Sequence, residues 1–260
     1  MIAGLDVDGM SKRFDGRPVL DAVSLSVPRG ELMAVLGPSG CGKSTLLRGI
    51  AGLIAIDSGT VTVAGRRVDH LPVRERGIVY LGQEPLLFPH LDVGGNLAFG
   101  LRLSRRPAQE IEDRVRQLVE ELGLPGMERR NPADLSGGER QRVAFGRALA
   151  IEPAVLLLDE PFSSLDAMTR SRMQGLFRRV ARRHAITTVL VTHDLKEALV
   201  MGDRFGLMQN GRLLSHPDRA AFAAAPGSGV AAERAFWDLL DTGPSAQSGP
   251  AARGHGDRDA

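Results

Sequence analysis

Apolar and polar positions alternate with period two near the start of the chain, most clearly in "PVLDAVSLSV", Pro18 to Val27. That alternation predicts a strand with one buried face. "LMAVLG", Leu32 to Gly37, is a short apolar run ending in glycine and reads as a buried strand. The spacing changes at Lys43: Leu46, Leu47 and Ile50 recur at helical intervals and predict a helix from Lys43 to Ala51. "GTVTVAGRRV" predicts a hairpin turned at Ala64-Gly65, and "RGIVYLGQ" a buried strand ending at Gln83. From Leu91 to about Gly146 the period is helical, with Ile111, Val115, Leu118, Val119 and Leu122 on one stripe and Pro107, Pro125 and Pro132 as punctuation. Strand character resumes in "AVLLLDE" and is followed by a helix near Ala167 to Arg183. Then come the strand "TTVLVTHD", the short helix "LKEALVMG" and a hairpin "RFGLMQNGRLL" turned at Asn210-Gly211. The expectation is an α/β domain over 1–240, with a helical subdomain inserted at about 91–146. "TGPSAQSGPAARGHGDRDA", which closes the chain, has almost no apolar content, so 241–260 is expected to be a disordered tail.

Composition narrows the picture. With 260 residues and 43% hydrophobic content, a substantial core is attainable. The formal net charge of +2 points neither toward nor away from a polyanionic partner. Lysine occurs only at Lys12, Lys43 and Lys196 in an arginine-rich chain, which makes Lys43 stand out. The single cysteine, Cys41, excludes an internal disulfide and fits a reducing compartment. No signal-peptide pattern opens the sequence, and no apolar run approaches the roughly 20 residues of a spanning helix. Any membrane role is expected to come through a partner. The histidines show no metal-ligand spacing.

The chemistry concentrates where strands end. "GPSGCGKST", Gly37 to Thr45, fits G-x-x-x-x-G-K-[ST] between a predicted strand and a predicted helix. Gly37, Gly40 and Gly42 let the backbone curl so that N–H groups, including those around Pro38, Ser39 and Cys41, converge on phosphate oxygens. Lys43 supplies a positive charge to the β/γ oxygens, Ser44 a Mg²⁺ ligand, and Thr45 a further phosphate contact. Cys41 occupies a variable position of such loops, where a small neutral side chain suffices. Asp159 and Glu160 follow an apolar strand, at the end where parallel α/β sheets bind ligands. Asp159 is expected to hold Mg²⁺ through water, and Glu160 to polarise the attacking water. "LSGGERQ", Leu135 to Gln141, places glycines at a helix start, as a second anion site requires; the same residues suit a capping box of Ser136 with Glu139.

"LSGGERQ" resembles the signature of the ABC ATPases, and the rest of that family's motifs follow in order over roughly Met10 to Leu214. Gln83 stands where the family has its Q-loop glutamine, "SSLD" at Ser163 to Asp166 is similar to the D-loop, and His193 in "VTHD" matches the switch histidine. The resemblance implies a P-loop NTPase core with an antiparallel β subdomain and a helical subdomain. It also implies a head-to-tail dimer in which Ser136, Gly137 and Gly138 of one subunit bind the γ-phosphate of ATP held by the other. Further implied roles are Phe14 stacking on adenine, Gln83 as a Mg²⁺ and water ligand, His193 as a γ-phosphate contact, and Asp166 at the nucleotide interface. Most relatives carry an aromatic residue before the glutamine; here Gly82 stands there.

"QEPLLFPHLDVGGNLAFGL", Gln83 to Leu101, is similar to the segment by which bacterial importers of polyamine, ferric iron, sulfate, molybdate or tungstate dock their permease. Phe88, Pro89 and Leu91 are the expected apolar contacts. The resemblance implies permease subunits, a second ATPase subunit (a homodimer is expected), an extracytoplasmic solute-binding protein acting indirectly, and no nucleic acid. It places the chain at the cytoplasmic face of the inner membrane as a peripheral subunit. The sequence ends soon after "FWDLL", whereas many of that group carry a C-terminal β-domain, and this departure weakens any choice of solute. The rival readings are a soluble ABC ATPase acting on DNA or ribosomes and an exporter subunit. Against the first stand the single cysteine, the single set of motifs and the lack of sustained heptads.

Overall fold

The computed structural model describes residues 3–233. Two sheets form its framework. The first is antiparallel, in the order β2-β1-β4-β5, built from β1 (Ala3–Phe14), β2 (Arg17–Pro28), β4 (Ser58–Val63) and the short β5 (Arg66–Arg67). Ala64 and Gly65, with φ of 49° and 81°, turn the β4–β5 hairpin as their residue types allow.

The second sheet runs in the order β10-β9-β3-β8-β7-β6. Its strands are β3 (Leu32–Leu36), β6 (Ile78–Leu81), β7 (Val155–Asp159), β8 (Thr187–Thr192), β9 (Arg204–Gln209) and β10 (Arg212–His216). All pairings are parallel except β9 with β10, the hairpin turned at Asn210-Gly211. Period two divides the central strands between two cores. Ala34, Leu36, Leu156, Leu158 and Leu190 face one cluster. Met33, Val35, Val155, Leu157, Val189 and Val191 face the other, with the antiparallel sheet and α1 (Lys43–Ala51) over them. A parallel sheet covered on both faces explains why these strands read as unbroken apolar runs.

Between β6 and β7 come α2 (Val93–Leu103), α3 (Ala108–Glu121) and α4 (Gly137–Ala150). Asp92 caps α2 through Gly95 N, and the helical stripe expected from the sequence is the buried one, with Leu118 and Val119 fully covered. After β7 lie α5 (Ala167–Arg183) and, beyond β8, α6 (Leu195–Met201).

Three expectations need correction. The strand ending in "IVYL" stops at Leu81 and is only half-buried, because β6 is the sheet edge and has a neighbour on one side alone. The last insert helix runs four residues past Gly146, to Ala150, carrying Ala148, Leu149 and Ala150 into the core. A short helix α7 (Arg219–Ala224), not anticipated, is capped by Asp218 and held by Phe222, whose ring stacks on Phe205 at 4.9 Å. The expected tail at 241–260 and the end of the expected domain lie outside the described residues.

Candidate functional site

Register brings the motif residues to one edge. Leu36 pairs with Thr192, Val191 with Asp159, and Leu158 with Leu81. The loops that follow β3, β8, β7 and β6 therefore emerge side by side at the carboxyl ends of parallel strands, where such sheets bind ligands. They carry the phosphate-loop motif, His193, Glu160 and Gln83 in turn.

The phosphate loop needs its glycines. A Cβ on Gly37 would sit 2.4 Å from the Met208 carbonyl, and Gly42, the N-cap of α1, has φ 108°. Gly40 has φ 79° and open space around it. Lys43 is buried and folds back across the loop, donating to the carbonyls of Gly37 at 2.7 Å and Pro38 at 2.9 Å. Its ammonium is thus held inside the turn formed by Pro38, Ser39, Gly40 and Cys41, beside the first N–H groups of α1, Thr45 among them. Cys41 is buried.

Ser44 Oγ donates to Asp159 Oδ1 at 2.9 Å, joining α1 to β7. Asp159 Oδ2 accepts from the Tyr80 hydroxyl at 2.8 Å. Burial above all, with the Asp159 carboxylate, pushes the Tyr80 hydroxyl above the usual tyrosine range, against the lowering pull of the Arg48 guanidinium. Tyr80 is therefore a neutral donor. Serine hydroxyl and aspartate carboxylate are hard oxygen donors at hydrogen-bond separation, the donor set for a cation that keeps water and phosphate as its other ligands. Among the described residues no group of three or more His, Cys, Asp and Glu could hold a metal by itself. The set fits Mg²⁺ bound together with a phosphate, and does not fit a protein-only cage.

Glu160 has φ 48°, a left-handed conformation costly for a residue with a Cβ. Its Oε2 lies 3.0 Å from His193 Nδ1. Gln83 Nε2 donates to Ser163 Oγ at 3.1 Å, and that hydroxyl donates to the Glu160 carbonyl at 3.0 Å. Ser39, Ser44, Gln83, Asp159 and Glu160 share one cleft of about 620 Å³. A carboxylate beside an imidazole in a cleft with a cation donor set can orient and deprotonate a water.

The remaining candidates lie elsewhere. Ser136 caps α4 and forms the full capping box: Ser136 N donates to Glu139 Oε2 at 2.7 Å, and Glu139 N to Ser136 Oγ at 3.3 Å. The Ser136 backbone N–H holds the Glu139 carboxyl below its usual range. Ser136 and Gly137 are exposed, and Gly138 is required because a Cβ there would meet Thr169 Cγ2 at 2.8 Å. Ser136 and Gly138 line a separate groove with Thr169 and Arg172. Within one chain Ser136 and Gly138 do not share a cleft with the phosphate loop. Asp166 caps α5, accepting from the N–H groups of Met168 and Thr169. Its carboxyl is held down chiefly by the Thr169 side chain. Phe14 is 46% exposed at the end of β1, with Lys12 Nζ 5.4 Å from its ring centre. It is absent from the lining of the cavity beside Gly40, which is made by Pro18, Val19, Asn210 and their neighbours.

The docking segment needs one correction. Phe88 and Leu91 are half-buried, and Phe88 packs on Phe99 at 4.3 Å with the Arg147 guanidinium 4.7 Å from its ring centre. Pro89 is exposed, and Leu86, at 73%, is the large apolar side chain that faces out. Arg147 also donates to the Leu86 carbonyl at 2.6 Å. Tyr80, Arg48, Gln141 and Arg147 all line the main cleft, and sequence reasoning missed them. The one signal for Tyr80 was a lone tyrosine in an otherwise apolar strand.

Comparison with known proteins agrees with this geometry. The ABC transporter family model matches residues 20–163. Among relatives, the sulfate/thiosulfate import ATP-binding protein CysA of Nocardia farcinica is 48% identical over 80% of this chain and 63% of its own length. The Fe(3+) ions import ATP-binding protein FbpC of Streptomyces avermitilis is 48% identical over 80% of this chain and 61% of its own. The molybdate/tungstate import ATP-binding protein WtpC of Thermococcus kodakarensis is 43% identical over 91% of this chain and 72% of its own. The chain thus spans only about three fifths of the first two. In structure it is similar to cbiO1 of Clostridium perfringens, part of the ABC transporter complex cbiONQ, with a TM-score of 0.82, 27% identity, and coverage of 93% of this chain and 97% of that one. With loop, carboxylates and signature in their expected order on this fold, the chain belongs to the ABC transporter family.

Proposed function

We propose that this chain is the ATP-binding and ATP-hydrolysing subunit of a membrane importer. The observation that carries the reading is the convergence of Ser44, Asp159, Glu160 and Gln83 on one cleft beside the phosphate loop, while Ser136 and Gly138 line a groove on another surface. One chain holds half a site, and a second copy, related head to tail, supplies the other half.

In this reading 1–240 is the ATPase domain, with 91–146 as its helical part. Phe14 stacks on adenine; the N–H groups from Gly37 to Thr45, with Lys43, hold the phosphates. Ser44, Gln83 and Asp159 would hold Mg²⁺, which when bound neutralises charge on the β- and γ-oxygens. Glu160 takes the proton of the attacking water from its Oε side, and His193, bonded to Oε2, holds that carboxylate and reaches the γ-phosphate. Ser136, Gly137 and Gly138 of the second copy close on the γ-phosphate, and Asp166 lies at that interface. Loss of the γ-phosphate removes what held the halves together.

No helix among the described residues is long and apolar enough to cross a membrane, so membrane attachment runs through a permease. Leu86 and Pro89 are the surface offered to it. The chain then sits at the cytoplasmic face, and a solute-binding protein acts beyond the permease. The solute class is inorganic ions or polyamines. Relatives named for sulfate and for Fe(3+) are equally identical to this chain, which supports solute choice by the other subunits.

The test is a pull-down of the tagged chain from detergent-solubilised membranes of its host, read by mass spectrometry. Recovery of a polytopic permease with a solute-binding protein supports the reading. Recovery of ribosomal or DNA-repair proteins without a permease overturns it.

A further inference from the structure

Asp159 is gripped at both oxygens. Oδ1 faces the Ser44 hydroxyl at 2.9 Å and Oδ2 the Tyr80 hydroxyl at 2.8 Å. The strand register explains the second contact. Tyr80 on β6 pairs with Leu157 on β7, so its ring lies on the face shared by Leu157 and Asp159, and its length carries the hydroxyl one residue pair further along. That face also packs α1, which brings the Arg48 guanidinium to the cleft that Tyr80 lines, and the two groups are coupled electrostatically. Tyr80, Asp159 and Ser44 form one chain of hydrogen bonds through three elements, and each bond polarises the next. Gly82 borders this phenol: a Cβ there would lie 3.6 Å from Tyr80 Cε1 and 3.9 Å from its oxygen, in ordinary contact with the ring.

We propose that Tyr80 is a positioning residue of the cation site, fixing the Asp159 carboxylate so that Oδ1 stays turned toward Ser44. The proposal rests on the reading of Ser44 and Asp159 as the cation donors. The terminal torsion of an aspartate is soft, and a carboxylate held at one oxygen swings. A serine hydroxyl that turns a lone pair to a cation must reorient, so the geometry of its bond to Asp159 changes with the cation. Of the two bonds, the one from Tyr80 is independent of that reorientation. Tyr80 therefore acts on the affinity for the metal–nucleotide pair and leaves the grip of the loop on the phosphates untouched.

The test is Tyr80→Phe in the full chain, which keeps the ring and removes the hydroxyl. A fluorescent ATP analogue is titrated first in excess chelator, then with increasing Mg²⁺, and a thermal melt is recorded. The expected result is metal-free affinity within about twofold of native and a half-saturating Mg²⁺ concentration raised about tenfold, the size of one hydrogen bond to a charged group. Arg48→Gln, which removes the cation coupled to the Tyr80 hydroxyl at an exposed position, is expected to raise the Mg²⁺ requirement about two- to threefold if Tyr80→Phe does not fold. An unchanged Mg²⁺ requirement overturns the proposal. So does an equal loss of affinity with and without Mg²⁺, because a merely structural tyrosine gives that result. Asp159→Asn separates the levels. If that variant keeps the native Mg²⁺ requirement, the cation-site reading itself falls; if it loses the Mg²⁺ response while Tyr80→Phe does not, only the role of Tyr80 falls.

Discussion

Glu160→Gln removes a charge and leaves the shape. The side chain is 22% exposed, and among the described residues its carboxylate bonds His193, itself 58% exposed. A bond between groups this accessible is worth at most about 1 kcal/mol, and glutamine retains an oxygen to make it. In a chain of this size that is a shift of about 2–4 °C in melting temperature. The backbone strain at φ 48° is unchanged, because glutamine also carries a Cβ. Catalysis is a different matter. A general base contributes about 10²- to 10⁴-fold, or about 2.7–5.5 kcal/mol of barrier. The expected variant melts near the native temperature, binds ATP within about threefold of native, and hydrolyses it at least about 100-fold more slowly. Glu160→Gly supplies the contrast. It relieves about 1–2 kcal/mol of left-handed strain at some cost in chain entropy, so it should be as stable as native or about 1 kcal/mol more so, yet equally inactive. Phosphate release, nucleotide titration and a thermal melt measure the three quantities. A Glu160→Gln chain that turns over ATP at the native rate refutes the role of Glu160, and one that melts far below native reduces it to a structural residue.

Three other perturbations follow, two at the site and one at an ion pair outside it. Lys43→Ala removes the cation held inside the loop, and ATP binding by equilibrium titration should fall beyond detection. Ser136→Ala breaks the capping box at a cost of about 1 kcal/mol and should leave ATP binding to a single chain intact while abolishing ATP-driven association. Asp69 is held at about 2, mainly by its hydrogen bond to Arg67. Its folded value lies below the unfolded one, so its contribution is complete above about pH 4 and is lost as pH falls through about 2. Because Arg67 is largely exposed, that contribution is about 1 kcal/mol, and Asp69→Asn should lower the melting temperature at pH 7 while converging on native behaviour in acid.

Much of this architecture was legible because local patterns and tertiary demands agree. The helices at Lys43–Ala51 and Ala167–Arg183 and the turns at Ala64-Gly65 and Asn210-Gly211 fall where spacing and turn chemistry place them. The strand before Gln83 was misjudged because apolar content does not tell an edge strand from a central one; only the pairing order does. Phe88 was misread for a related reason. Its cover comes from Phe99 on α2, eleven positions on, and from Arg147 on α4, which no local window contains. Leu86 is exposed because Arg147 anchors its carbonyl and leaves the side chain free to face outward. Tyr80 was invisible as a site residue because its partner is 79 positions away, and only the β6–β7 register joins them.

The account stands on two copies sharing each ATP. The direct measurement is sedimentation of Glu160→Gln with and without ATP and Mg²⁺, beside a double variant that adds Ser136→Arg at the exposed signature position. The account predicts monomer without nucleotide, dimer with it, and a double variant that binds ATP yet stays monomeric. A single variant that remains monomeric at saturating ATP, or a double variant that dimerises equally well, contradicts it.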